Sequence, residues 1–578
     1  MEDFKSKIMA RTRNLLLIFI CMLSAACEKS FLDQEIDGRL PVESIWSSTD
    51  RAFGFLNNAY TNLTGVYMRV GGAMLASASD EAKHSADESA IQDFNNGGWS
   101  AANPIENVWG HYYAGIRKTN LFLENIDRVP LLRRDNEEGV DPVKLAIRER
   151  MKGEAHFLRA FFYFELVKRY GGVPLVLKSL SLSDDLDIPR SSIDECIEQI
   201  LQDCDAAVEK LPKVYGASGS TVEVDDIGQA GRATQGSALA LKARALLYYA
   251  SPLFNPQNTT SRWEEAAEAA KEVMDLNVYR LLPLTGTVSH NNIFYQATGA
   301  AQYHNEIIFS TNYFEDSQFD MLNAPLTVNG RGLTNPSQEM VDAFGMANGL
   351  AITDSRSGYD PEKPYVGRDP RFYAAIRYHG ITVSQNDQVK YLSIASGSID
   401  AVNSAFNATR TGYYLGKFSS NSSVWDLRTV TVNRTNVLMR YAEVLLNYAE
   451  ARNEVSGPDQ TVYDAVNAVR QRAGLNPSAL PGGLSKEQMR TFIRNERRVE
   501  LCFEEHRFFD VRRWKLYGNK ETTIPVTGIS VVIDEYYNPS FVNFAVENRT
   551  FTPNMYLMPI PQIEIAKSKQ IIEQNPGW

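Results

Sequence analysis

The densest reactive chemistry lies between Asn495 and Trp514, where Glu496, Glu500, Glu504, Glu505, His506 and Asp510 are interleaved with arginines. Glu504 or Glu505 beside His506 would suit an acid/base pair. The same spacing also serves a scaffold. Glu496, Arg497, Glu500 and Arg507 lie at helical intervals that allow ion pairs between packed turns, and this is the preferred reading. Arg440 with Glu443, and Glu450 on the same helix, read alike. A glycosidase needs two carboxylates about 5–10 Å apart across one sugar bond, a pair that sequence spacing alone does not reveal. Sugar binding asks instead for flat aromatic faces that stack on pyranose rings, with polar side chains for the hydroxyls. Trp109, Trp263, Trp514 and Phe162 read as core. Trp99 differs: Asn95-Asn-Gly-Gly-Trp-Ser100 is a turn-rich loop expected to bury little, so Trp99 is the first choice for a ligand platform. Asp80 and Glu81 precede that loop and could cap the next turn. Tyr313 and Phe314 follow a strand-like run at 305–310, and Tyr67 and Trp425 complete the candidates. Tyr303 divides between core and site.

These residues need elements to position them, and apolar periodicity supplies helices. Met151, Ala155, Leu158, Phe162 and Leu166 recur at intervals of 4, 3, 4 and 4, until Gly171-Gly172 and Pro174 stop the pattern. Comparable stripes occupy 108–126, 193–208, 238–249, 263–274, 438–451, 462–469 and 489–503. The short connection at 251–256 joins neighbours into a hairpin. Two longer ones, 215–235 and 315–435, are rich in Gly, Ser, Asn and Asp. A stretch as long as the second, with little helical period, more often carries function than structure. No strict 34-residue repeat is present, so a helical-repeat fold would have to be divergent.

At the N-terminus, Lys5, Lys7, Arg11 and Arg13 precede the apolar run Leu15-Leu-Leu-Ile-Phe-Ile-Cys-Met-Leu23, the order of a secretory signal. Nine apolar residues rise only ~14 Å as a helix, about half of a bilayer core. Ser24-Ala25-Ala26 and then Cys27 resemble the lipobox of bacterial lipoproteins, with Leu23 one place further from the cysteine than in the commonest pattern. Cleavage there would leave Cys27 for lipidation, and several acyl chains make such an anchor effectively permanent. Removing residues 1–26 takes four of 59 Lys and Arg and two of 70 Asp and Glu, leaving 55 against 68, a charge of about −13. That balance argues against nucleic acid and against anionic lipid as partners. Cys196, Cys204 and Cys502 remain as thiols expected to be buried, and no CxxC, HExxH or similar spacing suggests a metal or cofactor.

Several stretches taken together resemble the SusD/RagB family of surface lipoproteins. They are Cys27-Glu-Lys-Ser-Phe-Leu-Asp33, Ile45-Trp46, Ala59-Tyr60-Thr-Asn-Leu63, Gly367-Arg-Asp-Pro-Arg-Phe372, Thr411-Gly-Tyr-Tyr-Leu-Gly-Lys-Phe418 and the stretch from Leu438 to Ala451. Asn467 to Gly474, Glu496 to Leu501, His506 to Trp514, Leu557 to Gln562 and Gln574 to Trp578 follow in order. The resemblance implies a mainly α fold of divergent tetratricopeptide-like hairpins, with few short strands and a loop-rich ligand face. It also implies a non-enzymatic lid on a SusC-like TonB-dependent transporter at the outer membrane, binding oligosaccharide or, in the RagB branch, peptide. An anchored hydrolase is the remaining class. Asp80 and Glu81 match a family position near the ligand face, and aromatics in the place of Tyr313 and Phe314 often touch ligand there. The expected organisation is a signal over 1–26, a helical part over 27–310, and a loop-rich insertion with C-terminal helices over 311–578.

Overall fold

The computed structural model describes residues 42–578, apart from short internal stretches of which the longest are 216–228 and 420–431. Cys27 lies outside the described residues. The longer helices are α1 (Thr49–Tyr60), α2 (Trp109–Asn125), α3 (Pro142–Tyr170), α4 (Ile193–Lys210) and α5 (Gln235–Ala250). They continue as α6 (Thr260–Asp275), α7 (Tyr441–Ser456), α8 (Gln460–Arg472), α9 (Lys486–Glu500) and α10 (His506–Arg513).

Polar residues ahead of the apolar stripes fix where these helices start. Asp141 accepts from the Val143 and Lys144 amides and is followed by Pro142, whose ring is pre-set for a first turn. Ser192 and Glu195 close a capping box on α4, and Ser485 and Gln488 close another on α9. Helix α3 ends at Gly171, whose φ of +76° is the left-handed conformation that glycine reaches without strain.

Successive helices pack on one another in chain order: α2 on α3, α3 on α4, α4 on α5 and α5 on α6. After the long excursion, α7 returns to pack on α6 and then carries α8 and α9. Helix α3 is the centre of this stack, buried on almost every face from Gly153 to Tyr170. It approaches α2 so closely that a Cβ on Gly115 would sit 2.6 Å from the Phe162 ring. Cys196, Cys204 and Cys502 are buried thiols. Among the described residues no helix is long and apolar enough to cross a membrane.

A second core, which includes Met340, Phe344, Phe372, Tyr413, Phe418 and Phe503, lies beneath the 315–435 region. That region is not shapeless. Short strands pin it to the rest of the chain: β1 (Ala82–His84) pairs antiparallel with β5 (Thr334–Pro336), and β3 (Ile307–Ser310) with β11 (Val437–Arg440). Within the region β6 (Ile376–Arg377) pairs with β9 (Tyr414–Leu415) and β7 (Thr382–Gln385) with β8 (Gln388–Tyr391), and a three-stranded sheet runs β2 (Tyr295–Gln296), β10 (Val432–Arg434), β4 (Phe314–Asp316). Helix α9 joins the two cores, placing Met489 and Ile493 in the first and Val499 in the second. A long two-stranded ribbon, β12 (Thr522–Ile533) with β13 (Pro539–Phe551), was not anticipated from the sequence.

Candidate functional site

The charged crowd on α9 and α10 forms a buried network rather than a reactive pair. Glu500 faces Arg371 at 3.0 Å, Arg440 at 2.7 Å, His290 at 3.1 Å and, closer still, Arg472. Glu504 meets Lys417 at 2.6 Å and Arg440 at 2.7 Å. The arginines pair across the fold, Arg497 with Asp510 and Arg507 with Asp80, each within 2.8 Å. Arg440 does not pair with Glu443 as the sequence suggested. It ends β11 and turns toward Glu306, Glu500 and Glu504, while Glu443 faces α5 and accepts from Arg244.

Burial would raise Glu500, but Arg472, His290 and Arg440 hold it well below the usual carboxylate range. Burial, reinforced by Arg497, keeps His506 neutral far below its usual value. Burial pushes Glu505 up to about 7 against the pull of Arg69, 3.0 Å away. Glu505 and His506 do face a cavity, but its volume is about 40 Å³. That is room for water, whereas ligand sites run to ~300–1,000 Å³. The acid/base reading has no space for a sugar.

Several nominated residues turn inward. Trp99 is 3% exposed, its ring 4.8 Å from Phe94 and 4.5 Å from Trp578. The expectation of a loop that buries little fails because Gly97, at φ +76°, reverses the chain after the helix Gln92–Asn96 and folds Trp99 back beneath it. Asp80 takes two bonds from Arg507 and lies 3.0 Å from Arg498. Glu81 accepts the Phe503 amide at 3.2 Å. Asp80 therefore fastens the start of β1 to α9 and α10, and Glu81 fastens it to the turn between them, instead of capping a helix. Burial, and then the neighbouring Asp80 charge, push Glu81 up to about 8.

Tyr67 is half-buried, its ring 5.1 Å from Phe319 and 5.0 Å from Phe418, and its hydroxyl donates to the Thr435 carbonyl at 3.3 Å. Phe314 stands on β4, the edge of the three-stranded sheet. Tyr303, Tyr313 and Trp425 lie outside the described residues. The strands that bound their segments are nonetheless neighbours, since Asn433 of β10 pairs with Gln296 of β2 on one side and Glu315 of β4 on the other.

Beside β3 the structure opens a cleft of about 320 Å³, lined by Tyr215, Arg232, Thr234, Tyr279, His304, Asn305 and the strand residues 307–310. The start of α5 shapes it. Thr234, the cap of that helix, lies with its hydroxyl 3.2 Å from that of Tyr279. Gly236 follows, and a Cβ there would collide with Tyr279. The Tyr215 hydroxyl donates to the Ala233 carbonyl at 3.0 Å. The Arg232 charge is matched by Glu154, to which its Nε donates at 2.7 Å. His304 is held below its usual range by burial. Ser310 is buried and its hydroxyl has no partner among the described residues. Tyr67 is not among the residues that line the cleft; it packs with Phe319 and Phe418 against the second core. Phenol rings, a neutral imidazole and an uncommitted hydroxyl make walls suited to a neutral ligand rich in hydroxyls.

A crystal structure of a SusD-like protein from Bacteroides fragilis superposes with a TM-score of 0.76 at 31% identity, covering 93% of this chain and 100% of that one. This chain belongs to the SusD family. The model described as the SusD family matches residues 291–578, and one described as starch-binding and associating with the outer membrane matches residues 30–247. SusD-like proteins P2 and P38 of Formosa agariphila are 26% and 24% identical, over 82% and 95% of this chain and 81% and 100% of theirs. A SusD-like carbohydrate-binding protein of B. fragilis, 24% identical, shares the fold, with a TM-score of 0.70 over 92% of this chain and 99% of that one.

In this SusD-family chain, sequence reading missed Tyr215, Arg232 and Tyr279. Tyr215 opens the Gly- and Ser-rich connection ahead of α5, which is a usable signal, but Tyr279 sits in an ordinary helix exit and meets the cleft only through tertiary packing.

Proposed function

We propose that this chain is a surface lipoprotein, anchored through Cys27, that captures an oligosaccharide and delivers it to a SusC-like TonB-dependent outer-membrane transporter without hydrolysing it. The observation that carries this reading is the match of residues 30–247 to a family described as starch-binding and associating with the outer membrane. The uncharged balance of the cleft supports a glycan over a peptide, because peptide termini and side chains would call for unpaired charges on its walls, and Arg232 is already matched. Isothermal titration of the mature protein with glycans selected on an array tests it. Tyr279→Ala or Tyr215→Ala should weaken binding by about 2 kcal/mol, some thirtyfold, without product release. Unchanged affinity in both variants, with melting intact, would remove the cleft. Binding of peptides alone would favour the RagB-like role, and turnover lost in Glu505→Gln would make the protein an enzyme.

A further inference from the structure

We propose that the outer face of the β12–β13 ribbon is a second glycan-contact surface, holding part of a long neutral polysaccharide outside the cleft. This rests on the glycan-binding reading above.

The ribbon register decides which side chains look outward. Ser530 pairs with Val542 and Val532 with Ser540, and directly opposed residues share a face. Between them, Val531 pairs with Phe541 on the other face, where the Phe541 ring packs 5.4 Å from Tyr365. The outward face thus combines two hydroxyls with two valines that are 49% and 50% exposed.

At the tip, Tyr536 and Tyr537 are 74% and 88% exposed. The backbone that carries them is fixed, because the Asp534 carboxylate accepts the amides of Tyr536 and Asn538, each at 2.8 Å. Tyr537 has φ +66°, a left-handed position that Gly or Asn would fill without strain. Turn geometry alone therefore gives no reason for a tyrosine there. A pair of solvent-facing rings on a fixed turn is what sugar stacking needs.

Beside the ribbon, the loop at 394–405 is tied on by the Ser396 amide, which donates to the Val531 carbonyl at 3.0 Å. Loop and ribbon enclose a shallow groove of about 700 Å³ whose described lining holds no charged residue. Ser398, Ser404 and Ser530 line it and donate their hydroxyl protons to the carbonyls of Ala395, Ile399 and Val542. Their oxygens are left as acceptors for hydroxyl donors on a ligand. From Ser530 to Tyr536 the strand and tip span up to ~20 Å, enough for several sugar rings in a row. Asp534 and Glu535 at the tip would repel an acidic polymer, so the surface fits a neutral one.

Affinity electrophoresis in gels containing soluble starch, arabinoxylan, galactomannan or mixed-linkage β-glucan tests this, alongside titration with short oligosaccharides cut from whichever polymer retards the wild type. The Tyr536→Ala/Tyr537→Ala variant should lose polymer affinity by about tenfold or more, the multivalent gain, while oligosaccharide affinity and melting stay unchanged. Retardation equal to the wild type would overturn the second surface and leave the cleft standing. Equal loss for polymer and oligosaccharide would overturn it too, because the ribbon would then belong to the primary site. If no glycan of any length binds the wild type, the glycan reading and this inference fall together.

Discussion

Replacing Trp99 by alanine separates the two roles that an aromatic residue on a Gly-Gly turn could have. The indole is almost wholly buried and meets rings on two sides, Phe94 and the C-terminal Trp578. Trp-to-Ala truncation in a core costs about 3–5 kcal/mol. Each ring pair contributes roughly 0.5–1.5 kcal/mol of that beyond simple burial. The Trp99 Nε1 hydrogen has no acceptor among the described residues, and removing a buried unpaired donor returns on the order of 1–3 kcal/mol, so the net cost should be about 2 kcal/mol. Domains of 150–250 residues lose about 2–4 °C per kcal/mol, and because the shift falls in proportion to chain length this chain should lose about 1 °C per kcal/mol, giving a fall of roughly 2 °C. Scanning calorimetry and urea titration measure this, with oligosaccharide titration alongside, where no change is expected. Trp578→Ala should share part of the loss, leaving a coupling of about 1 kcal/mol in the double variant. A thirtyfold loss of affinity at unchanged melting temperature would refute the reasoning and restore Trp99 as a ligand platform.

Glu500→Gln removes the one carboxylate that Arg371, Arg440 and Arg472 share, leaving three buried cations on fewer anions, and should cost about 3–5 kcal/mol in denaturant titrations; a loss under about 1 kcal/mol would mean the network is solvated. Glu81→Gln should change the pH profile of stability. The folded protein keeps a proton on Glu81 up to about 8 against an ordinary value of 4.5, so between those values it binds more protons than the unfolded chain and stability falls as pH rises. The glutamine variant lacks that contribution and should gain on the wild type in melting temperature from pH 5 to pH 8; parallel profiles would show that Glu81 titrates normally.

The helices were legible because each one carries its own signals. The stripe from Met151 to Leu166 and the caps at Asp141 and Ser192 are local facts, and α3 and α4 follow from them. Partners were not legible. Acids and arginines at helical spacing on α9 promised ion pairs, but Arg507 reaches Asp80 and Glu500 reaches Arg371, choices made by which elements meet. The stretches that carried the family resemblance supply most of this network: Arg371, Lys417, Arg440, Arg472, Glu496 and Glu500 all fall within them. Motif recognition thus found the scaffold. The cleft escaped it because Tyr215 and Tyr279 lie in no such stretch, and the Trp99 loop was misjudged because a left-handed Gly97 does not announce which way the chain turns. The ribbon was missed although Thr522 to Ile533 is rich in β-branched residues and ends at a polar turn, a signal hidden by the interrupting Pro525 and Gly528.

The hub at Glu500 also bears on how the chain folds. Its cations come from 28 to 129 residues away in sequence, from Arg472, Arg440 and Arg371, and from both cores, while His290, which burial lowers to about 4 and so keeps uncharged, reaches it from 210 residues away. Any partly assembled form leaves at least one of these charges buried without its counterpart, a penalty of several kcal/mol. Intermediates in which only one core has formed are therefore disfavoured relative to both ends of the reaction. The cost of a buried charge network, modest or even negative for the finished fold, becomes a device for cooperativity: it couples the helical stack and the loop-covered core so that they form and melt as one unit rather than as two.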